Sequence, residues 1–207
     1  MIFYDYYADI PASTLDAFVR DCEMGRLVTV SPEGRPHLGL YPFVYDGGVI
    51  EMHCHRADEQ FADLKSRGHC LFEVDEVLGT VPSYWVHPQD AVKATAYHRT
   101  VIFECQATLS QDPAELAGQQ TRLLARYQPE GGFSPVRPED DLYRVAIQHI
   151  VAVRLEIKAR RVKFKLAQNR PIDARRKIVS ALRERGRRTD DRAADAVQWT
   201  IDQESQN

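Results

Sequence analysis

Apolar positions along the chain follow two periods, and the switch between them marks the elements. Leu15, Phe18, Val19 and Cys22 recur at i, i+3, i+4 and i+7 behind Ser13, which predicts an amphipathic helix capped by Ser13 and stopped at Gly25. Arg26 to Val30 then reads as a strand, turned by Pro32-Glu33-Gly34 into a second strand from His37 to Tyr45. After the tight turn Asp46-Gly47-Gly48 comes a third strand, Val49 to Cys54, then a short helix around Asp58 to Ser66. Gly68 precedes a fourth strand through Cys70, Phe72 and Val74. Pro42 has no N–H to give a ladder, so the second strand is expected at a sheet edge or in a bulge.

The second half repeats the logic. Val101 to Leu109 keeps apolar or small residues at alternate positions, as a half-buried strand does. Asp112, Pro113 and Glu115 open a helix whose stripe runs through Leu116, Leu123, Leu124 and Tyr127 and ends at Pro129-Glu130-Gly131-Gly132. A short helix is expected within Asp140 to His149. A final long strand carries Val151, Val153, Leu155 and Ile157, and two helices lie near Asp173 to Arg185 and Arg188 to Ile201. Five or six antiparallel strands with interspersed helices predict an α+β barrel with a helical C-terminus.

Composition narrows the class. At 207 residues, with 43% hydrophobic and 28% charged, the chain is neither disordered nor collagen-like and can bury one substantial core. No run approaches the roughly 20 apolar residues of a membrane helix, and the first residues lack the basic flank of a signal peptide, so a cytoplasmic protein with no membrane partner is expected. Cys22, Cys54, Cys70 and Cys105 form no CxxC pair and read as reduced, mostly buried thiols. The net charge of −3 is unevenly spread: Arg154 to Arg188 holds 14 Lys and Arg against three acids, a surplus of 11, and the remainder carries a deficit of 14. Such a segment suits a polyanion such as DNA or the acidic face of a second copy.

Several residues could carry chemistry. His53 and His55 share one face of a strand, with His69-Cys70 on another, but the spacing matches no established zinc pattern and no metal is expected. His53 to Asp58 spans a strand-to-helix junction, where unpaired N–H groups and the helix dipole favour a phosphate. Arg56 can add a bidentate contact, while Asp58 and Glu59 would repel the anion unless turned away. Thr95, Tyr97, His98, Arg99 and Thr100 read either as a polar-aromatic pocket wall or as an exposed strand end. No nucleophile elbow, Walker loop or Rossmann glycine pattern is present, so any reaction falls to a bound cofactor.

Val162-Lys163-Phe164-Lys165-Leu166-Ala167-Gln168-Asn169-Arg170-Pro171 resembles the K-x-K-L-S-Q-N-R signature of the PaiB family of FMN-binding transcriptional regulators, with Ala167 in place of serine. His53 to Phe61 is similar to that family's H-L-A-R-A-N-P-Q-W, keeping His53, Arg56, Ala57 and Gln60, and Pro82-Ser83 sits like its P-S-W-Y. The resemblance implies an FMN-binding split β-barrel like that of pyridoxamine 5'-phosphate oxidase. It also implies a homodimer with FMN at the subunit interface, a barrel over 1–165 and a C-terminal helical extension over 166–207. It assigns the phosphate to His53 and Arg56, with Gln60, Leu40, Tyr41, Thr95, Tyr97 and Arg99 as further cofactor-binding candidates. The chain departs from the family at Lys93 to His98, where V-P-T-W-N-Y is usual, at Leu40, where a histidine is common, and at Asp58 or Glu59, where the oxidases place a basic residue.

Three functions follow from the resemblance: a dimeric FMN-binding regulator touching DNA through Arg154 to Arg188, an FMN-dependent oxidoreductase acting on a small molecule, or a barrel that has lost its flavin. The Lys163 to Arg170 motif is expected to be a structural clasp in which Gln168 and Asn169 satisfy loop backbone, rather than a ligand contact. The aromatic N-terminus, Phe3, Tyr4, Tyr6 and Tyr7, is expected to pack rather than to stack on a ring.

Overall fold

The computed structural model describes residues 1–205. In chain order it forms α1 (Asp5–Ala8), α2 (Ala12–Asp21), β1 (Met24–Val30), β2 (Pro36–Pro42), β3 (Val44–Tyr45), β4 (Val49–His55), α3 (Glu59–Arg67) and β5 (His69–Val81). There follow β6 (Thr95–Ser110), α4 (Pro113–Tyr127), α5 (Asp141–His149), β7 (Ile150–Lys165), α6 (Ile172–Arg185) and α7 (Asp190–Glu204). The class is α+β, a mainly antiparallel seven-stranded sheet with a helical C-terminal segment. Hydrogen-bonded neighbours follow the order β2-β1-β5-β6-β7-β4-β3, and β1 runs antiparallel to β2 and β5, as β4 does to β3 and β7.

The expected elements appear with informative shifts. The second strand breaks at Phe43 into β2 and β3, giving seven strands rather than six. Pro42 closes β2, which lies at the sheet edge as a residue without an N–H requires. Phe43 is fully buried at the break. Its N–H donates to the Tyr127 hydroxyl at 2.9 Å, and that hydroxyl donates to the Glu23 carbonyl at 2.6 Å, so the interrupted ladder is satisfied by a side chain. Gly25 does not stop α2 but lies inside β1. A Cβ there would sit 2.1 Å from Cζ of Phe72, so the bare backbone is what admits that ring. The fifth and sixth expected strands both extend further than their apolar alternation, because β6 begins at Thr95 and β7 continues to Lys165.

The chain forms two compact units. The larger holds Ser13–Val74 and Ile102–Arg160; the smaller holds Met1–Ala12, Asp75–Val101 and the described residues from Arg161 onward. Leu27, Phe43, Ile50, Met52, Phe72, Phe103 and Val153 are buried in the larger unit, with Phe43 and Phe72 edge-on at 5.1 Å. α3 lies over β1 and β2. There Asp63, 3% exposed, accepts from Thr29 Oγ1 at 2.6 Å and lies 2.7 Å from His37 Nδ1. Both partners meet the same oxygen, Oδ2, of this buried carboxylate.

In the smaller unit α6 and α7 pack as a pair through Ile178, Leu182, Ala193, Val197 and Ile201, joined at Gly186, whose φ of +62° supplies the left-handed cap. Arg185 grips the buried Asp190 through two bonds of 2.7 and 2.6 Å. That bond and the Arg187 N–H hold the Asp190 carboxyl below its ordinary range. Buried Arg175 donates to the carbonyl and hydroxyl of Thr200 and pairs with Glu204.

Candidate functional site

The junction between β4 and α3 lies in the larger unit and collects most of the expected residues. β4 alternates Ile50, Met52 and Cys54 into the core, which turns Glu51, His53 and His55 to its other face. His53 Nδ1 is buried and has no hydrogen-bond partner, and burial lowers the ring's pKa, with Asp58 opposing. The imidazole is therefore neutral near pH 7 and holds one unused polar atom. Arg56 is exposed, with one long contact from Nε to the Ile150 carbonyl at 3.4 Å, and the rings of His55 and His149 stack 5.7 Å apart on the same edge.

The turn uses up most of its own backbone donors. The N–H groups of His55, Arg56, Ala57 and Asp58 go respectively to Asp58 Oδ2, His149 O, His55 Nδ1 and His55 O, at 2.8–3.0 Å. The expected cradle of unpaired N–H groups is thus largely spent, and side chains are left to do the binding. The two acids are also turned to other work. Asp58 Oδ2 caps the turn and lies 3.5 Å from the Tyr41 hydroxyl, and the Glu59 carboxylate lies 3.7 Å from His37 Nε2. Tyr41 also donates to Oε1 of buried Gln60 at 3.2 Å; burial and Asp58 push its pKa up, so it stays a neutral phenol. Leu40, one residue earlier, faces the opposite way and is 58% exposed.

Thr95, Tyr97 and Arg99 belong to the smaller unit. Arg99 is not a pocket cation: its Nε donates to Glu76 at 2.7 Å and the guanidinium lies over the Phe164 ring. Thr95 and the buried Tyr97, whose pKa burial raises to about 12, line a cavity of about 530 Å³ with Lys163, Lys165, Asn169 and Arg170. The clasp expected of the Lys163 to Arg170 motif is made by Gln168, which accepts from Leu166 N at 2.8 Å and donates to Phe164 O at 2.5 Å. Ala167 takes a φ of +70°, an unfavourable angle for a residue with a Cβ. The cavity cations were missed as a group, although Lys163 and Lys165 at strand period carried the signal. The histidines of β4 and His69 on β5 do not converge, since β6 and β7 separate those strands, and no metal-ligating cluster occurs among the described residues.

Residues 1–159 match the family model described as "Putative FMN-binding domain". The chain belongs to this family. FMN is accordingly its cofactor. No curated protein matches the chain in sequence. Among solved structures, the chain resembles the flavocytochrome Anf3 from Azotobacter vinelandii, with a TM-score of 0.65 at 19% identity over 79% of this chain and 72% of that one. It also resembles an FAD and heme binding protein from Mycobacterium smegmatis, with a TM-score of 0.62 at 13% identity over 77% and 73%. A conserved hypothetical protein from Mycobacterium tuberculosis follows, with a TM-score of 0.56 at 19% identity over 80% and 91%. These likenesses show the fold.

The β4–α3 junction fits an FMN-binding family member on its own chemistry. It presents an orphaned buried ring nitrogen on His53, an exposed guanidinium on Arg56, a phenol on Tyr41, and two carboxylates already engaged. Among the described residues no helix is long and apolar enough to cross a membrane.

Proposed function

We propose that this FMN-binding chain is a homodimeric oxidoreductase acting on a small molecule, with the flavin phosphate held by Arg56 and His53. The observation that carries the reading is the unpartnered buried Nδ1 of His53 beside the exposed Arg56. A buried polar atom without a partner costs about 1–3 kcal/mol, which a ligand contact would recover. FMN supplies hydride and single-electron chemistry when bound; the residues named here bind and orient it. Tyr41 and Gln60 form a neutral hydrogen-bonded pair at the same junction, suited to positioning rather than to proton transfer at neutral pH. Two structural neighbours, a flavocytochrome and an FAD and heme binding protein, carry redox cofactors, which supports this reading.

A homodimer is supported by the outer face of the β1–β2 ribbon. Register places Val28 opposite Leu38 and Arg26 opposite Leu40, and Met24, Val30, Leu38 and Leu40 are all exposed there. The free state of all four cysteines fits a reducing, cytoplasmic compartment.

The second reading, a PaiB-type regulator, draws on the motif resemblance and the basic segment. Among the described residues at least six of that segment's fourteen cations pair with carboxylates of this chain: Arg154, Lys158, Arg175, Arg176, Arg183 and Arg185. The charge available to DNA phosphates is therefore much smaller than the sequence count, which favours the oxidoreductase.

Purified protein incubated with FMN, read by absorbance and by light-scattering mass, tests the proposal. We expect one flavin per chain in a dimer, and weakened uptake in Arg56→Gln and His53→Ala. A colourless monomer would end it. DNA binding that weakens with salt would instead support the regulator.

A further inference from the structure

The cavity of about 530 Å³ in the smaller unit is unlike the junction just described. Lys163 and Lys165 sit two apart on β7, so their side chains leave the same face, and Arg170 joins them after the turn held by Gln168 and Ala167. None of the residues lining the cavity is acidic. Lys165 and Arg170 make no ion pair among the described residues. Lys163 spends one of its three N–H groups on the Ile2 carbonyl at 2.7 Å and lies over the Tyr7 ring.

The opposite wall is aromatic and ordered by its own contacts. Tyr4 and Tyr6 stack with centroids 5.2 Å apart and planes 9° apart, and Tyr6 meets Tyr7 edge-on at 4.4 Å. Burial and the charges of Lys163 and Arg170 lower the Lys165 pKa, and no carboxylate acts on it in compensation. Burial raises the pKa values of Tyr7 and Tyr97 to about 12, with the charge of Arg170 opposing the rise. Asp75 acts on His98, next to Tyr97 in the chain, and opposes the lowering of that ring's pKa by burial and the two lysines. Three cations are thus held together against their mutual repulsion with no acidic residue among those lining the cavity, in a space of the size that takes small molecules.

We infer that this cavity binds a small polyanion, a phosphoryl or polycarboxylate compound with a planar portion, separate from the phosphate of the flavin. Lys163, Lys165 and Arg170 take the charge, Asn169 and Thr95 supply neutral polar contacts, and the tyrosines cover the planar part. This assigns the N-terminal tyrosines and Asn169 a ligand role in place of the packing and clasp roles expected of them; Gln168 makes the clasp, and the clasp is what presents Arg170. The inference needs no flavin, so it is independent of the proposal above.

Calorimetric titration of the FMN-loaded protein with pyrophosphate tests it. We expect saturable binding, weakened at least about tenfold in Arg170→Gln and in Lys165→Gln. It should be retained in Lys165→Arg and unchanged in Arg188→Gln, whose side chain lies outside the cavity. Thermal melts matching the wild type exclude misfolding as the cause. Binding that never saturates, or that is equal in all variants, would overturn the inference. So would displacement of FMN by pyrophosphate, because the cavity would then be holding the flavin's own phosphate. Protein that takes up no flavin yet binds pyrophosphate through Arg170 would sustain this inference while ending the oxidoreductase reading.

Discussion

The β4–α3 junction and the tyrosine-lined cavity treat charge in opposite ways. At the junction every carboxylate has a partner within its own unit: Asp63 with Thr29 and His37, Asp58 with the His55 N–H, and Glu59 near His37. Only a neutral ring nitrogen and one exposed guanidinium are left over. In the cavity three cations share a lining without an acidic residue. Paired charge buried under a helix fixes structure, whereas uncompensated charge around a space is a disposition toward a ligand.

The largest effect should come from undoing the paired side. Asp63→Ala strands the Thr29 hydroxyl and His37, and we expect a loss of about 3–5 kcal/mol in chemical denaturation. A loss below about 1 kcal/mol would mean that the pairing is not what secures α3. Gly25→Ala drives a methyl into Phe72 and should cost about 1–3 kcal/mol by the same measurement, with little effect on pyrophosphate binding.

A subtler contrast lies in two histidines. His53 and His98 both have pKa values below the ordinary 6.5, first by burial in each case, but His98 is lowered further by Lys163 and Lys165. Since the folded state then holds fewer protons than the unfolded one, the stability linked to these rings is complete above about 6.5 and is lost as pH falls through their folded values. NMR titration should show the His98 pKa rising when salt or pyrophosphate is added and that of His53 not rising. Equal upward movement of both would erase the distinction between the regions. The smallest effect is at Ala167, where glycine relieves the left-handed backbone; Ala167→Gly should gain up to about 1 kcal/mol in thermal or denaturant unfolding.

Much of the fold was legible because it is written in local periods. The alternation of Val151, Val153 and Leu155, the Asp112 cap and the Pro42 edge signal each use one segment's own residues. Local pattern misleads where a distant residue decides. Gly25 reads as a helix stop until Phe72, on another strand, is seen to need its space. Arg99 reads as a pocket cation until Glu76, 23 positions away, takes it. The basic surplus of Arg154 to Arg188 shrinks for the same reason, since Glu51 and Glu204 lie outside that segment. The junction at His53 and Arg56 was readable as a motif, but the spending of its backbone N–H groups was not, because Arg56 N reaches His149 across 93 positions of chain.

The interleaving of the two units bears on the order in which a ribosome could complete them. Every residue of the larger unit has been made once Arg160 is joined, so it can begin to consolidate while the C-terminal helices are still being synthesised. The smaller unit brings together the first twelve residues of the chain and segments from Arg161 onward, so its earliest residues must wait for nearly the last. Until then Tyr4, Tyr6 and Tyr7 have no lysines to meet, and a nascent chain stalled before Lys163 would carry an aromatic N-terminus without its wall of cations.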